Sequence, residues 1–421
     1  MSRKLFGCIA DDFTGGSDAA SFLVAGGMNT VLCNGIPGED FSLPAECEGL
    51  VIALKSRTQE TKEAVADSLA AVRWLARQGA EQFYIKYCST FDSTPEGNIG
   101  PVVDAVLEET DTPGTILCPA LPANGRVVKD GILYVKGVPL AESPMKDHPL
   151  TPMRKRRISQ LIAPQGKYPS YELHQDLLRG SRAETEKEIS AFRKNKTHYY
   201  LIPDYTDEAD AEILADLFGA DRVLTGGSGL LTALARRLKK DNSVHLPQSS
   251  AEGPALILAG SCSSATRAQT AWFLAQGGVS IRLEDAGLLD GTQTADTLWN
   301  AVRTQKGPVL VYSYETPEGL QLKRNEEGRR LSSLIEQTLS GLAVKAAAGG
   351  VTRIIVAGGE TSGAVTKALG YRAFQIGESI APGVPVLLPL DNPAVRLVLK
   401  SGNFGQEDFF GRALAVTGKD A

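Results

Sequence analysis

The chain has 421 residues, 43% of them hydrophobic and 22% charged, which at roughly 150 residues per domain points to two globular domains and away from disorder, collagen or coiled coil. The balance of 44 basic against 49 acidic residues is mildly negative, so the basic footprint of a nucleic-acid-binding protein is missing. No apolar run approaches the about 18 residues of a membrane span, and the short apolar stretch at the N-terminus ends in two Asp, so neither a span nor a signal peptide is expected. The six Cys include no C-x-x-C pair and several sit in apolar runs, the pattern of reduced thiols in a cytoplasmic protein. The four His are scattered, which speaks against an imidazole metal site.

Along the chain, short apolar runs alternate with helical patterns. LFGCIA (5–10) reads as a buried strand followed by the helix SDAASFLVAGG. GLVIAL (49–54) is a strand, and TKEAVADSLAAVRWLARQG has the three- and four-residue apolar spacing of a helix. EQFYIKY leads through a polar loop to a helix over 99–109, then to the strand GTILCPA (114–120). This βαβα order predicts an α/β fold with a largely parallel sheet flanked by helices. From 124 to 169 the periodicity fails; ILYVKGVPL reads as a hairpin arm, ESPMKDHPLTPM as a loop, and the basic run MRKRRIS (153–159) as a solvated helix face. The βα pattern returns with THYYLIPD, the helix DEADAEILADLFG, the strand DRVLTGGSG and the helix LLTALARRL.

The polar stretch KKDNSVHLPQSSAEG reads as a linker. The expected division is therefore 1–240, a linker over 241–253, and a second α/β unit over 254–421. In that unit ALILAGSCSSAT (255–266) is strand, turn and helix start; VSIRLE, VLVYSY and RIIVAGGE are further strands; a helix covers about 329–348; PVLLPL and AVRLVLKSG end the unit as strands.

Three clusters in the first half carry chemistry. ADDFTGGSD puts Asp11 and Asp12 at the carboxyl end of the first strand, where open α/β sheets bind ligands. Such acids can hold Mg²⁺, accept hydroxyl hydrogen bonds or act as a base, and equally suit a capped strand–helix junction, with Asp18 in the first helical turn. KYCSTFDSTPEGN brings Lys86, Ser89 and Asp92 to the end of another strand; Asp92, Ser93 and Thr94 also read as helix caps, with Pro95 near the first turn. Arg57 and Arg126 follow strand ends and suit a carboxylate or phosphate.

In the second half, three Gly-rich turns follow apolar strands: Gly260, Ser261 and Ser263; Gly358, Gly359, Glu360 and Thr361; Gly402 and Asn403. Backbone amides at helix starts favour phosphate, so the set points to a nucleotide. The P-loop, the dinucleotide G-x-G-x-x-G after the first strand, the G-x-S-x-G elbow and the H-E-x-x-H motif are all absent.

ADDFTGGSDAASFLVAGG, KYCSTFDSTPEGNIGPV, PANGR, HPLTPM, LAGSCSSAT, VAGGETSG and KSGNFG, spread over residues 10–405, together resemble the four-carbon acid sugar kinase family. Much of that family carries K-x-D-S-T-x-R-G-N in the third-strand loop. Here an insertion and Pro95–Glu96 replace it, a form that, with HPLTPM, resembles the 3-oxo-tetronate kinase branch. The resemblance implies two α/β domains, the first binding a sugar acid and the second ATP. It implies transfer of phosphate from ATP, with Mg²⁺, to the C4 hydroxyl of a 3-oxo-tetronate; threonate or erythronate kinases and a non-catalytic sugar-acid sensor are the alternatives. Asp12 and Asp92 are then candidates for the orienting acid or base, Asp11, Lys86 and Ser89 for the sugar-acid crevice, and Arg57 and Arg126 for its carboxylate. The Gly-rich turns take ATP, with Glu360 reaching either Mg²⁺ or the ribose. A homodimer is left open.

Overall fold

The structure is a computed structural model describing residues 5–147, 151–239, 246–313 and 326–419. The HPL of HPLTPM and residues 241–245 of the expected linker lie outside the described residues. The chain divides into two compact units, 1–245 and 246–421.

The first unit is built on parallel strands in the order β2 (Thr30–Asn34), β3 (Gly49–Ala53), β1 (Leu5–Ala10), β4 (Ala80–Lys86), β11 (Val223–Gly226), β5 (Gly114–Cys118), β10 (Tyr199–Pro203) and β9 (Ser170–Leu173). β1 and β3 are buried along their whole length, so every residue can be apolar. The sequence reading passes over β2 and β9, and the helix Arg182–Arg193 buries only Thr185 and Ile189, leaving almost no apolar stripe to read.

The aperiodic stretch after β5 is an ordered arm. β6 (Arg126–Lys129), β7 (Ile132–Val135) and β8 (Val138–Pro139) form an antiparallel sheet. Its β6–β7 turn is pinned by buried Asp204, whose carboxylate accepts the amides of Asp130 (2.8 Å) and Gly131 (2.9 Å). The MRKRR run does not lie on a helix face: a helix begins only at Ile158, and the run pairs with β7 through Leu133 N to Arg156 O (2.9 Å).

The second unit has the parallel order β13 (Val279–Leu283), β14 (Val309–Ser313), β12 (Ala255–Ala259), β15 (Arg353–Ala357), β18 (Arg396–Lys400). β17 (Val384–Pro389) and β16 (Ala373–Ala381), a strand without a sequence signal, join antiparallel beside β18. The unit does not end in strands: the helix Phe409–Thr417 follows and packs Phe409 and Phe410 into the core with Ile257, Ile355 and Val398. Part of the stretch read as linker is fastened to this unit, through Arg396 Nε to Gln248 O (3.1 Å), Glu378 N to Ser249 Oγ (2.7 Å) and Ala251 N to Thr417 O (2.8 Å). No described helix is long and apolar enough to cross a membrane.

Helices Phe13–Ala25 and Leu231–Leu238 meet where Gly26 leaves no room for a side chain: a Cβ there would stand 2.4 Å from Ala235 Cβ and 2.6 Å from Thr232 O. Gly26→Val should destabilise the chain by about 1–3 kcal/mol, the usual range for overpacking. An unfolding midpoint equal to wild type would show that the helices part freely.

Candidate functional site

In the first unit the chain runs from β1 towards β2 and β3 on one side of the sheet, and from β4 towards β5 on the other. The reversal opens a crevice at the carboxyl ends of β1 and β4, the usual ligand position in an open parallel sheet. Backbone bonds hold this edge: Asp11 N donates to Lys86 O (3.0 Å) and Arg57 N to Asp11 O (3.2 Å).

Asp12 is the N-cap of the helix Phe13–Ala25, its Oδ1 accepting the Gly15 amide and the Thr14 hydroxyl (3.1 Å). A Cβ on Gly15 would crowd Asp12 Oδ1 at 2.8 Å and approach Lys86 Nζ to 3.4 Å. The Arg57 guanidinium is bidentate on Asp11 (2.7 and 2.8 Å) and also pairs with Asp12. Lys86, almost fully buried, lies 3.5 Å from Asp18, which also accepts the Ser228 hydroxyl. Asp18 is therefore not a first-turn acid favouring the helix dipole; it sits one turn later as a buried counter-charge.

These contacts set the charge states. Burial pushes Asp12 up, but Arg57, the Gly15 amide and Lys86 together outweigh it and hold the carboxyl below its ordinary value. Burial wins at Asp11 and Asp18 and raises both. At Lys86 burial is outweighed by Asp18 and Asp11, so the ammonium is held above its ordinary value. A depressed Asp12 is a poor proton acceptor but a firm hydrogen-bond acceptor, which suits orientation of a hydroxyl.

Asp11, Arg57, Lys86 and Asp92 line one cleft with Ser56, Ser68, Ser93, Asn98 and the apolar floor of Ile9, Ile85 and Val102; it encloses about 400 Å³, part of it open to solvent. Asp12 adjoins it through Arg57. Ser89 and Arg126 are not among the residues that line it. Asp92, Ser93 and Thr94 do not cap a helix. The next helix starts at Ile99 with Asn98 as its N-cap residue, and Asp92 instead accepts the Thr90 hydroxyl (2.6 Å). The loop between is shaped by Phe91, held at φ 53° with its ring buried against Tyr87. A bulky residue there is a strained exception that only surrounding packing sustains. Sequence reading missed Asn98, which bonds Ser56 O (2.7 Å) and Gln59 O (2.9 Å), because its partners are far away in the chain.

In the second unit the strand order reverses between β12 and β15, and the three Gly-rich turns gather there. Gly358, at φ 134°, precedes the helix Gly359–Leu369, whose first turn carries no side-chain cap. Its amide donates to Lys400 O (2.9 Å), and a Cβ on it would stand 3.2 Å from Ser261 N. Gly402 O accepts from Ser263 Oγ (2.6 Å) and Thr266 Oγ1 (2.9 Å), joining the turn after β18 to that after β12. A Cβ on Gly359 would meet nothing within 4 Å. Gly359, Glu360 and Asn403 are exposed; Gly260, Ser261, Ser263 and Gly402 are half-buried, and Thr361 is buried. The whole predicted phosphate set is thus brought together. Beneath it lies fully buried Lys400, which the sequence reading passed over as part of an apolar strand.

Among the described residues, one His and acid group is close enough to hold a metal: Asp130, His174 and Asp204. Asp204 already accepts three backbone amides there, so it serves the turn described above.

Comparison with known proteins decides the family. Residues 6–234 match a sugar-binding N-terminal domain and residues 256–410 a nucleotide-binding C-terminal domain. A 3-oxo-tetronate kinase of Cupriavidus necator is 43% identical, covering 99% of this chain and 98% of its own. One of Salmonella typhimurium is 40% identical over 97% and 98%. The chain belongs to the four-carbon acid sugar kinase family, and its relatives are of the 3-oxo-tetronate kinase branch. A solved Salmonella typhimurium structure, provisionally described as a tRNA synthase, is 41% identical with a TM-score of 0.87 over 97% of this chain and 98% of that one. A Haemophilus influenzae structure of the DUF1537 family is 38% identical with a TM-score of 0.78 over 97% and 99%.

Two expectations follow. Asp12→Asn should keep the helix cap, because Asn caps as well as Asp, while lowering kcat by about 100-fold or more, the usual scale for a lost transition-state contact. An unchanged kcat/KM for the sugar acid would remove Asp12 from the reaction. Burial pushes the Lys400 ammonium down to about 7 from an ordinary 10.5. Between those values the unfolded chain binds more protons than the folded one, so stability rises with pH, by up to about 1.4 kcal/mol per unit. The unfolding free energy of wild type minus that of Lys400→Met should climb from pH 7 to pH 10; a flat difference would mean the ammonium keeps its charge.

Proposed function

We propose that this chain is an ATP-dependent kinase that phosphorylates the C4 hydroxyl of 3-oxo-tetronate. The observation that carries the reading is the pairing, in one chain, of an acid-lined crevice in the sugar-binding unit with an uncapped helix start and converging Gly-rich turns in the nucleotide-binding unit. A sensor needs only one of these.

In this reading Asp12 accepts the C4 hydroxyl and orients it, and Asp92 faces the same cleft as a second acceptor. Phosphoryl transfer asks chiefly for positioning and charge neutralisation, so a weak base suffices. Arg57 is occupied by Asp11 and Asp12, holding both in place. Arg126 has no carboxylate partner among the described residues and is the better receiver of the substrate carboxylate.

ATP lays its phosphates on the amides of Gly359, Glu360 and Thr361 and on the turns at Gly260–Ser263 and Gly402–Asn403. Glu360, exposed in the first helical turn and with no cation partner among the described residues, fits a Mg²⁺ shared with the phosphates, since Mg²⁺ commonly takes one or two carboxylates plus substrate oxygens. When bound, the ion would neutralise charge on the transferring group.

Purified protein with MgATP should release ADP only when 3-oxo-tetronate is added, and more slowly with threonate or erythronate. Release that ignores the sugar acid, or none with any four-carbon acid, would overturn the assignment. Gly359→Val should abolish ATP binding by calorimetry while sugar-acid binding stays, because the new side chain fills the space the phosphate needs. Normal ATP affinity in that variant would place the nucleotide elsewhere.

A further inference from the structure

The turn after β18 is organised from beneath by two side chains that the reading above leaves without a role. Lys400 Nζ, fully buried, donates to Thr266 Oγ1 (3.0 Å), Ser401 O (3.2 Å) and Gly402 O (3.0 Å). Gln269, fully buried on the helix Ser264–Ala275, directs its Nε2 at three carbonyls in succession: Phe404 O (3.0 Å), Gly405 O (3.1 Å) and Gln406 O (3.0 Å). The cluster of acceptors fixes which end of the amide is nitrogen. Its Oε1 is left buried without a partner, an unfavourable arrangement that the carbonyl contacts must offset.

Five carbonyls between 401 and 406 are thus drawn into the interior. The amides of Gly402, Asn403 and Gly405 find no acceptor among the described residues. A turn whose carbonyls are held inward and whose amides are free has the polarity of an anion-binding nest. It adjoins a second donor set, the start of the helix Gly359–Leu369, through Gly358 N to Lys400 O (2.9 Å).

We propose that Lys400 and Gln269 are positioning residues for the nucleotide: by holding the 401–406 carbonyls inward, they present that turn's amides to the phosphate chain of ATP. The inference rests on the reading of the second unit as the ATP site. Neither side chain touches the phosphates; each acts through the backbone it holds.

The test uses Lys400→Met, Gln269→Met and Thr266→Val in the full chain. Each removes donors at similar size, and Thr266→Val keeps the question open should a buried-lysine variant fail to fold. Measured quantities are KM for ATP, KM for the sugar acid, and inhibition against ATP by tripolyphosphate and by adenosine. In each variant that folds, KM for ATP and the inhibition constant of tripolyphosphate should rise by about tenfold or more, the effect of losing roughly one charge-assisted contact. KM for the sugar acid and inhibition by adenosine should stay within about twofold, on the same scale of ratios. Equal weakening of adenosine and tripolyphosphate would overturn the proposal, because it marks general disruption of the unit. Unchanged tripolyphosphate inhibition would overturn it directly. If the wild-type protein bound neither ATP nor tripolyphosphate, the ATP reading of the unit would fail, and this failure is distinct from the other two.

Discussion

Both units depend on one geometric constraint, a parallel sheet whose strand order reverses next to its first strand. Chain leaving β1 crosses one face and chain leaving β4 the other, so the covering helices part at the carboxyl edge. β12 and β15 repeat the arrangement in the second unit. Regular strands cannot fill that gap, and the chain crosses it as turns and helix starts: Asp11–Asp12 before the helix at Phe13, Tyr87–Asn98, Gly260–Ser263, and Gly358 before the helix at Gly359. Many of the candidate site residues lie on those segments.

The two edges solve opposite electrostatic problems. The first gathers acids and spends its cations on them. Arg57 is shared by Asp11 and Asp12, and Lys86 by Asp18. The result is a rigid, nearly neutralised lattice in which Asp12 stays ionised, able to hold a hydroxyl without attracting a proton at neutral pH. Among the described residues, the second edge offers no comparable ion pairs around its turns. It uses backbone dipoles, with an uncapped helix start beside a turn whose Ser401 and Gly402 carbonyls are bonded by buried Lys400. Amide donors suit a highly charged ligand because they need not be stripped of a counter-ion first.

Turns this irregular need anchors. Phe91 sinks its ring beside Tyr87 while its backbone takes a left-handed φ, and Asn98 ties the same loop to Ser56 and Gln59. Gln269 and Lys400 do so for the 401–406 turn. Each anchor is buried and close to its turn in space, though often distant in sequence; Gln269 lies more than a hundred residues before the carbonyls it holds. That separation is why such residues carry no local motif.

Strands of continuous apolar residues and helices with three- and four-residue spacing announced most elements, because burial on both faces of β1 or β3 imposes a composition that reads directly. The Gly-rich turns were legible for a similar reason: turns after apolar strands favour glycine, and Gly15 and Gly358 stand where a Cβ would crowd Asp12 Oδ1 or Ser261 N, while one on Gly359 would meet nothing within 4 Å. Asp11, Asp12, Lys86 and Asp92 were legible as residues at strand ends. Their charge states, the sequestration of Arg57 between two acids, the recasting of Asp18 from helix-end acid to buried counter-ion, and the antiparallel edge of the second unit were not. Those depend on which groups meet across 46 or 210 residues of chain. Local sequence encodes burial and backbone conformation, whereas electrostatic partnership is a property of distance in space, which only the folded chain sets.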